Sequence, residues 1–196
     1  FADVLVFAHE RLMHDNRALN IHLMKERRMS HDEIHYAIGE SSIGLVLVAR
    51  SDDGLTTVLL GTDRDALRRE LEGRLPRATL VEDATGLTAA LGAVVAFIER
   101  PARGLDLPLD LRGTPFQQTV WKALREVPTG STATYADIAN RIGRPTSARA
   151  VAQACAANPL AVVVPCHRVV RSDGNLSGYR WGVERKRALL EREAGA

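Results

Sequence analysis

A connector with two prolines and one glycine, residues 100–112, divides the sequence into two parts with different patterns. Before it, short apolar runs and leucines four residues apart indicate strands mixed with helices, whereas the pattern after it is mainly helical. Residues 1–111 hold 13 basic and 18 acidic side chains, a net −5, and residues 112–196 hold 13 and 6, a net +7. The sequence therefore predicts an α+β protein of two modules, the second facing a polyanion. On charge alone, a solvated basic surface without a partner is the equal alternative.

The part before the connector predicts a small scaffold of strands and helices over residues 35–111. Apolar and β-branched runs bounded by turn residues predict strands, and the i, i+4 leucines predict amphipathic helices. We expect strands at 43–49, 55–60 and 78–81, and helices at 62–75 and 86–99. Nothing in this unit suggests catalysis.

Residues 1–34 show no clear period and form an unassigned N-terminal extension. Their apolar beginning, residues 1–7, is too short for a signal peptide and lacks a basic leader. No run approaches the roughly 18 apolar residues of a membrane span. Five histidines lie in or just past this stretch: His9, His14, His22, His31 and His35. No cysteine lies among them, so we interpret them as scattered surface residues and expect no metal. The two cysteines of the chain favour free thiols in the cytoplasm over a disulfide-stapled secreted domain.

The part after the connector predicts a helix from Pro115, then a helix-turn-helix. Thr134 is a candidate cap for a first helix, residues 143–145 break it, and a second helix follows at 148–157. The second helix is rich in alanine, which permits close approach to DNA, and only Arg149 and Gln153 project length from one face. An ordinary helical hairpin within a core is the alternative.

A cysteine followed by a histidine, Cys166 and His167, comes directly after the apolar run 160–164, which predicts a buried strand. A thiolate attacks electrophiles, whereas a free thiol is mostly protonated at neutral pH, so a base within reach is required. A carboxylate that orients the base would complete the relay, and the last helix offers three: Glu184, Glu191 and Glu193. The alternative for an isolated Cys-His pair is a buried structural thiol.

Two further features flank the cysteine. Asn158, followed by Pro159, lies between the second helix and the apolar run, where its side chain can tie the loop to the helix end. The glycine-rich loop 174–182 (GNLSGYRWG) suits a flexible wall over a flat aromatic ligand, and it lacks the spacing of a phosphate-binding P-loop.

Taken in order, these residues resemble the O6-alkylguanine-DNA alkyltransferases, particularly the C-terminal half of bacterial Ada proteins. The resemblance rests on Tyr135, Arg149, Asn158, PCHRVV at 165–170 and SGYRWG at 177–182. It extends from about residue 35 to 196 and is dense from residue 113 onward. It implies a small ribonuclease H-like N-terminal domain and a mainly helical C-terminal domain, residues 112–196, whose winged-helix-like helix-turn-helix binds double-stranded DNA through the minor groove.

The resemblance also implies the chemistry: an O6-methylguanine nucleotide, or O4-methylthymine, is flipped out and its methyl group moves to Cys166 in a single turnover. His167 would take the thiol proton through a water molecule, and Glu193 would hold His167. Tyr135 would donate to the departing base, and Asn158 would also serve the site. The remaining contacts to the substrate or DNA would come from Arg149, which replaces the flipped nucleotide, the backbone of Val169, and Ser147, Gln153, Gly178, Tyr179, Arg180 and Lys186.

Arg168 is interpreted as structural or phosphate-facing, and Cys155 as a small packed residue or a groove-lining one rather than a second acceptor. Several family members bind zinc in the front domain through cysteines that this chain lacks. We therefore expect no metal, no cofactor and a monomer. The competing hypotheses are a sequence-specific transcription regulator, a cysteine hydrolase and a nonreactive lesion sensor.

Overall fold

The computed structural model describes residues 33–176 and 178–195. Six elements precede the connector, and we use the name first module for them: β1 (Glu33–Ser41), β2 (Gly44–Ser51), β3 (Gly54–Gly61), α1 (Arg64–Arg74), β4 (Thr79–Glu82) and α2 (Thr88–Glu99). The elements after it, called the second module, include α3 (Pro115–Arg125), β5 (Ala133–Thr134), α4 (Tyr135–Arg141), α5 (Ala148–Ala156), β6 (Val169–Val170) and α6 (Val183–Ala194). The protein is thus a mixed α+β structure, as the sequence predicts. None of the helices described is both long and apolar enough to cross a membrane.

The four-stranded sheet has the order β3-β2-β1-β4, with antiparallel pairs except for the parallel pair β1–β4. The sequence interpretation missed β1, and residues 33–34, assigned to the extension, are part of it. Its polar residues interrupt the apolar pattern, but strand neighbours on both sides satisfy its backbone and bury Ile34 and Tyr36. His9, His14, His22 and His31, for which we expect no metal site, lie outside the described residues.

Two helices pack against this sheet. The side chain of Asp63 caps α1 by accepting a hydrogen bond from the backbone N–H of Ala66 (2.7 Å), so this helix begins slightly later than predicted. Leu67 and Leu71 are its buried residues. The connector is held along the sheet edge, because Leu55 exchanges backbone hydrogen bonds with Pro108 and Asp110. The connector between the two modules is therefore hydrogen-bonded to the sheet.

Two helices of the second module, α3 and α4, begin at capping boxes. Thr114 and Gln117 exchange hydrogen bonds at the start of α3, and Thr134 and Asp137 do so at the start of α4. The indole Nε1 of Trp121 donates to the carbonyl of Ala154 (2.9 Å), which joins α3 to the end of α5. These contacts fix the orientation of α5 beside the Cys166 segment.

The strand predicted at 160–164 is wrong. Only Leu160 forms an isolated bridge, to Val58 on β3, and the chain then turns. Val162 has a φ of 61°, and the N–H of Val163 donates to the carbonyl of Ala161 (2.7 Å). Four of the five residues of this run are buried, but among the described residues no strand pairs with the run beyond this bridge. Its contact with β3 anchors the segment that leads to Cys166.

Candidate active site

Cys166 lies in a short 3-10 turn, Cys166–Arg168, at the wall of a cavity of about 420 Å³. Tyr135 at the start of α4 contributes to the wall, as do residues 178–180 of the glycine-rich loop. The rest comes from small side chains on one face of α5: Ala152, Cys155 and Ala156. The sulfur therefore adjoins a space in which a ligand can lie, although Cys166 is only 6% exposed. This arrangement does not fit the alternative of a purely structural thiol.

His167 and Glu193 form a buried pair beside the thiol. His167 Nε2 and Glu193 Oε1 are 2.8 Å apart, and both side chains are almost completely buried. Burial alone would raise the pKa of Glu193, but hydrogen bonds from His167 and Arg168 outweigh it and lower this pKa to about 2. Glu193 is therefore ionised, accepts hydrogen bonds only, and requires the proton of His167 on Nε2.

The proton on Nε2 leaves the other ring nitrogen, Nδ1, as a lone pair. Burial lowers the pKa of His167 more than the nearby Glu193 carboxylate raises it, so the imidazole is neutral. Among the residues that the structure describes, no group forms a hydrogen bond with the buried Nδ1. His167 is thus a neutral, oriented base with an acceptor atom available for a proton.

Arg168 holds the carboxylate of this pair. Its Nε donates to Glu193 Oε2 (2.8 Å) and its Nη2 to Oε1 (2.9 Å), a two-point ion pair. The same guanidinium donates to the carbonyl of Val127 and to Thr129 Oγ1. The interpretation of Arg168 as phosphate-facing is therefore wrong and its structural alternative is correct, because these contacts bury the side chain.

Asn158 connects the thiol to the preceding backbone. Its Nδ2 donates to Cys166 Sγ (3.2 Å) and to the carbonyl of Val164 (2.8 Å), and its Oδ1 accepts from the N–H of Leu160 (2.9 Å). Burial raises the pKa of the Cys166 thiol to about 11, against the opposing effects of the Asn158 hydrogen bond and the Lys186 charge. The resting sulfur is therefore a thiol, and the ionised state requires proton transfer.

The other predicted site residues lie in three environments. Arg149 and Gln153 are exposed on α5, with Ser147 half-buried just before that helix. Gly178, Tyr179 and Arg180 line the cavity, and Tyr179 packs edge-on to His167 and Trp181. Val169 and Lys186 are fully buried, and Lys186 Nζ donates to the carbonyl of Val169.

The burial of Lys186 argues against the DNA part of its predicted contact to the substrate or DNA. A fully buried ammonium bound to a backbone carbonyl is not presented to a phosphate, and we assign Lys186 to the interior of the site. Sequence reasoning also missed Glu70 of α1, which contacts Arg180 across the two modules. No local pattern marks this residue, because its partner lies far along the chain.

A second thiol, Cys155, also lines the cavity. Burial raises its pKa strongly, with a further contribution from Cys166. No group of three or more metal-ligating side chains occurs within 33–176 and 178–195. The site therefore contains two cysteines beside a cavity between α5 and the glycine-rich loop. Cys166 is followed by the base His167, and Cys155 has no histidine next to it in the chain.

The fold and the site define a class of protein. In this class a cysteine, followed by a neutral histidine, lies at the wall of a cavity, and a helix that lines the same cavity carries an exposed Arg and Gln. Comparison with known proteins specifies the class. The family model described as "6-O-methylguanine DNA methyltransferase, DNA binding domain" matches residues 115–195. The bifunctional transcriptional activator/DNA repair enzyme Ada of Escherichia coli is 49% identical over 161 residues, which are 82% of this chain and 46% of Ada. The chain thus spans about half the length of Ada.

Two further relatives match nearly from end to end. The methylated-DNA–protein-cysteine methyltransferase of Mycobacterium bovis is 41% identical over 160 residues, 82% of this chain and 92% of the relative. The crystal structure of Mycobacterium tuberculosis OGT in complex with DNA has a TM-score of 0.69 at 38% identity, and covers 82% of this chain and 93% of that one. The chain belongs to the methylated-DNA–protein-cysteine methyltransferase family, and the resemblance found in the sequence is confirmed.

Proposed function

We propose that the chain repairs O6-methylguanine in double-stranded DNA by moving the methyl group to its own Cys166. The observation that carries this proposal is the placement of Cys166 at a cavity wall, followed in the chain by the neutral His167, which Glu193 orients. A flipped purine requires such a cavity, because its O6 substituent is shielded within the base stack. Arg149 and Gln153 are exposed on α5, the helix that also lines the cavity, and this supports a contact between that helix and DNA.

The chemistry balances without a cofactor. The thiol proton passes to Nδ1 of His167, directly or through a water molecule, while Glu193 stabilises the developing imidazolium. The sulfur attacks the methyl carbon, so an S–C bond forms as the C–O bond breaks. The Tyr135 hydroxyl donates a proton to the departing guanine and is reprotonated from the histidine. The products are S-methylcysteine and guanine, and because no group here cleaves a thioether, each molecule acts once.

The domain assignment and the mode of DNA binding are part of the same proposal. We infer that α4 and α5 act as a winged-helix-like helix-turn-helix, and that Arg149 takes the place of the flipped nucleotide in the minor groove. The first module, residues 35–111, would be a ribonuclease H-like scaffold, and residues 112–196 would bind DNA. The DNA-bound state of the mycobacterial relative supports this view. We further propose a cytoplasmic monomer that also accepts O4-methylthymine.

The test is incubation with a duplex oligonucleotide that contains a single O6-methylguanine, followed by mass analysis of the intact protein and its peptides. We expect one methyl group on Cys166 and one protein consumed per lesion. The matched control is Cys155→Ala, which should react like the wild type, whereas Cys166→Ala should bind the duplex without transfer. Methyl on Cys155, or repeated turnover, would contradict the proposal.

A further inference from the structure

We propose that Glu70, on helix α1 of the sheet module, is a positioning residue for the substrate cavity of the other module. It acts through Arg180, which belongs to the cavity wall, and holds residues 178–180 in the position that contacts the alkylated base. This inference rests on the proposed function, because it assigns the cavity to that base. It gives the first module a part in substrate binding beyond that of a scaffold.

The first supporting observation is the bridging position of Arg180. Its Nε and Nη2 each lie 3.1 Å from Glu70 Oε1, and its Nη1 donates to the carbonyl of Ala156 (3.3 Å). Ala156 ends α5, and both Ala156 and Arg180 line the cavity. One guanidinium therefore joins α1 to two parts of the cavity wall, and the helix end provides carbonyl oxygen that favours a cation.

The second observation is that the wall has little structure of its own. Residues 178–180 belong to no helix or strand, and Gly178 is exposed. Tyr179 is fixed by edge contacts with His167 and Trp181, whose ring centroids lie 6.4 and 5.2 Å from its own. Arg180, the next residue, is held by the Ala156 carbonyl through one bond and by Glu70 of the other module through two closer contacts. Loss of the contacts with Glu70 should therefore loosen one side of the wall.

The third observation is the charge balance at Glu70. The same oxygen, Oε1, also accepts from Arg74 Nε at 3.2 Å, so one carboxylate lies between two guanidinium groups. The Arg74 side chain is 15% exposed and that of Arg180 is 41% exposed. Neutralising Glu70 leaves the two cations facing each other, and the more exposed Arg180 is the one that can move away. The effect on the wall should thus exceed the loss of one surface ion pair.

The test compares Glu70→Gln with Glu72→Gln, a matched control two residues along the same helix. Glu72 forms an exposed i, i+4 pair with Arg68, and within the described part of the chain it makes no hydrogen bond or ion pair with the cavity wall. The first measurement is hydrogen exchange of the amides of 178–182, which does not depend on activity. We expect faster exchange in Glu70→Gln and wild-type exchange in Glu72→Gln. Equal exchange in both variants overturns the inference.

The second measurement is methyl transfer from free O6-methylguanine base, without DNA, at a series of base concentrations. For a partly exposed pair with added repulsion, we expect Glu70→Gln to raise the half-saturating concentration about threefold to fivefold at an unchanged limiting rate. Affinity for an unmodified duplex should stay at the wild-type value. Adding Arg180→Gln should produce little further change, because the two residues act as a unit.

The outcomes separate the two proposals. If the duplex affinity of Glu70→Gln increases, Arg180 serves a DNA phosphate that Glu70 restrains, and the positioning role is wrong. If the half-saturating concentration is unchanged, it is also wrong. If exchange at 178–182 rises but the wild type transfers no methyl group from base or duplex, the hold of Glu70 on the wall stands and the proposed function fails.

Discussion

Arg168 and Glu193 form a buried two-point ion pair, with Nε to Oε2 at 2.8 Å and Nη2 to Oε1 at 2.9 Å. The geometry keeps the carboxylate charged at the position where it also accepts from His167. The adjacent residues His167 and Arg168 thus bind the same carboxylate. Burial is the main reason why the pKa of His167 is lowered, and the charge of Arg168 lowers it further. The base therefore depends on a residue that touches neither the cavity nor the thiol.

The first prediction follows from this pair. Arg168→Met should lower the free energy of unfolding by about 3 kcal/mol, because it leaves a buried carboxylate without its cation. Urea unfolding measures the loss. The control is Arg171→Met, which removes an exposed ion pair with Asp173 and should change stability by less than about 1 kcal/mol. An equally small loss in both variants would show that the buried pair contributes no more than a surface one.

The second prediction concerns acid stability. Both Glu193 and His167 have pKa values below their ordinary 4.5 and 6.5, so the unfolded chain binds protons more readily than the folded one. Their contribution is present above the ordinary values and is lost as the pH falls. We expect stability to decline below about pH 6.5 through His167, and more steeply from 4.5 towards 2 through Glu193.

Urea midpoints across this pH range check the prediction. Glu193→Gln should be less stable at neutral pH, and its stability should depend less on pH below 4.5. The matched control is Glu191→Gln, two residues earlier on α6. Its stability should fall with pH below 4.5 as that of the wild type does. If the stability of Glu193→Gln falls below pH 4.5 as steeply as that of the wild type, other groups cause the loss of stability in acid.

The third prediction concerns the pH dependence of transfer. The thiol pKa is about 11, so a mechanism that needed a preformed thiolate would accelerate about tenfold per pH unit through neutrality. With His167 as the base, the single-turnover rate should be nearly flat between about pH 7 and 9, because the imidazole is already neutral there. His167→Asn should be slower at pH 7 and should show the steep rise. A steep rise in the wild type would mean that the histidine does not take the proton.

Local patterns predicted much of the structure. The α1 leucines, the Thr114 and Thr134 caps, and the break near residue 143 each act within a few residues of their partners. The resemblance gave the pairing of His167 with Glu193, whose atoms the structure then placed 2.8 Å apart. Contacts between distant segments were not predictable in this way.

The errors share a physical cause. β1 is a strand because it has neighbours on both sides, and its own residues do not reveal this. The run 160–164 is as apolar as a strand but lacks a pairing edge after Leu160. A lysine on a charged helix is expected to be exposed, but Lys186 is fully buried and donates to the carbonyl of Val169. In each case, tertiary context overrides local sequence.

The fourth prediction concerns Arg149, which is exposed on α5. If it fills the gap left by the flipped nucleotide, Arg149→Ala should slow transfer from duplex DNA by about tenfold or more, since base flipping costs a few kcal/mol. Transfer from the free base should be unchanged, because no stack has to be opened. Arg141→Ala, an exposed arginine at the end of α4, is the control. Equal losses on base and duplex would place Arg149 in the cavity chemistry instead.

The last prediction concerns Asn158, whose amide makes three buried hydrogen bonds, to Leu160, Val164 and Cys166. Asn158→Leu keeps the volume but leaves the buried N–H of Leu160 without its acceptor, whereas the carbonyl of Val164 still accepts from the N–H of Cys166. Stability should therefore fall by about 1–3 kcal/mol. Asn158→Asp retains an acceptor for Leu160 but places a carboxylate beside the sulfur, which disfavours the thiolate.

The aspartate variant separates stability from chemistry. We expect it to bind duplex DNA like the wild type while its transfer rate falls by about tenfold or more, because one pKa unit of thiol corresponds to a factor of ten. Transfer should recover partly as the pH rises towards the raised thiol pKa, which pH-dependent single-turnover rates measure. Should the rate fall in proportion to the folded fraction alone, Asn158 serves only to hold the 158–164 segment, and the hydrogen bond to Sγ contributes nothing to ionisation of the thiol.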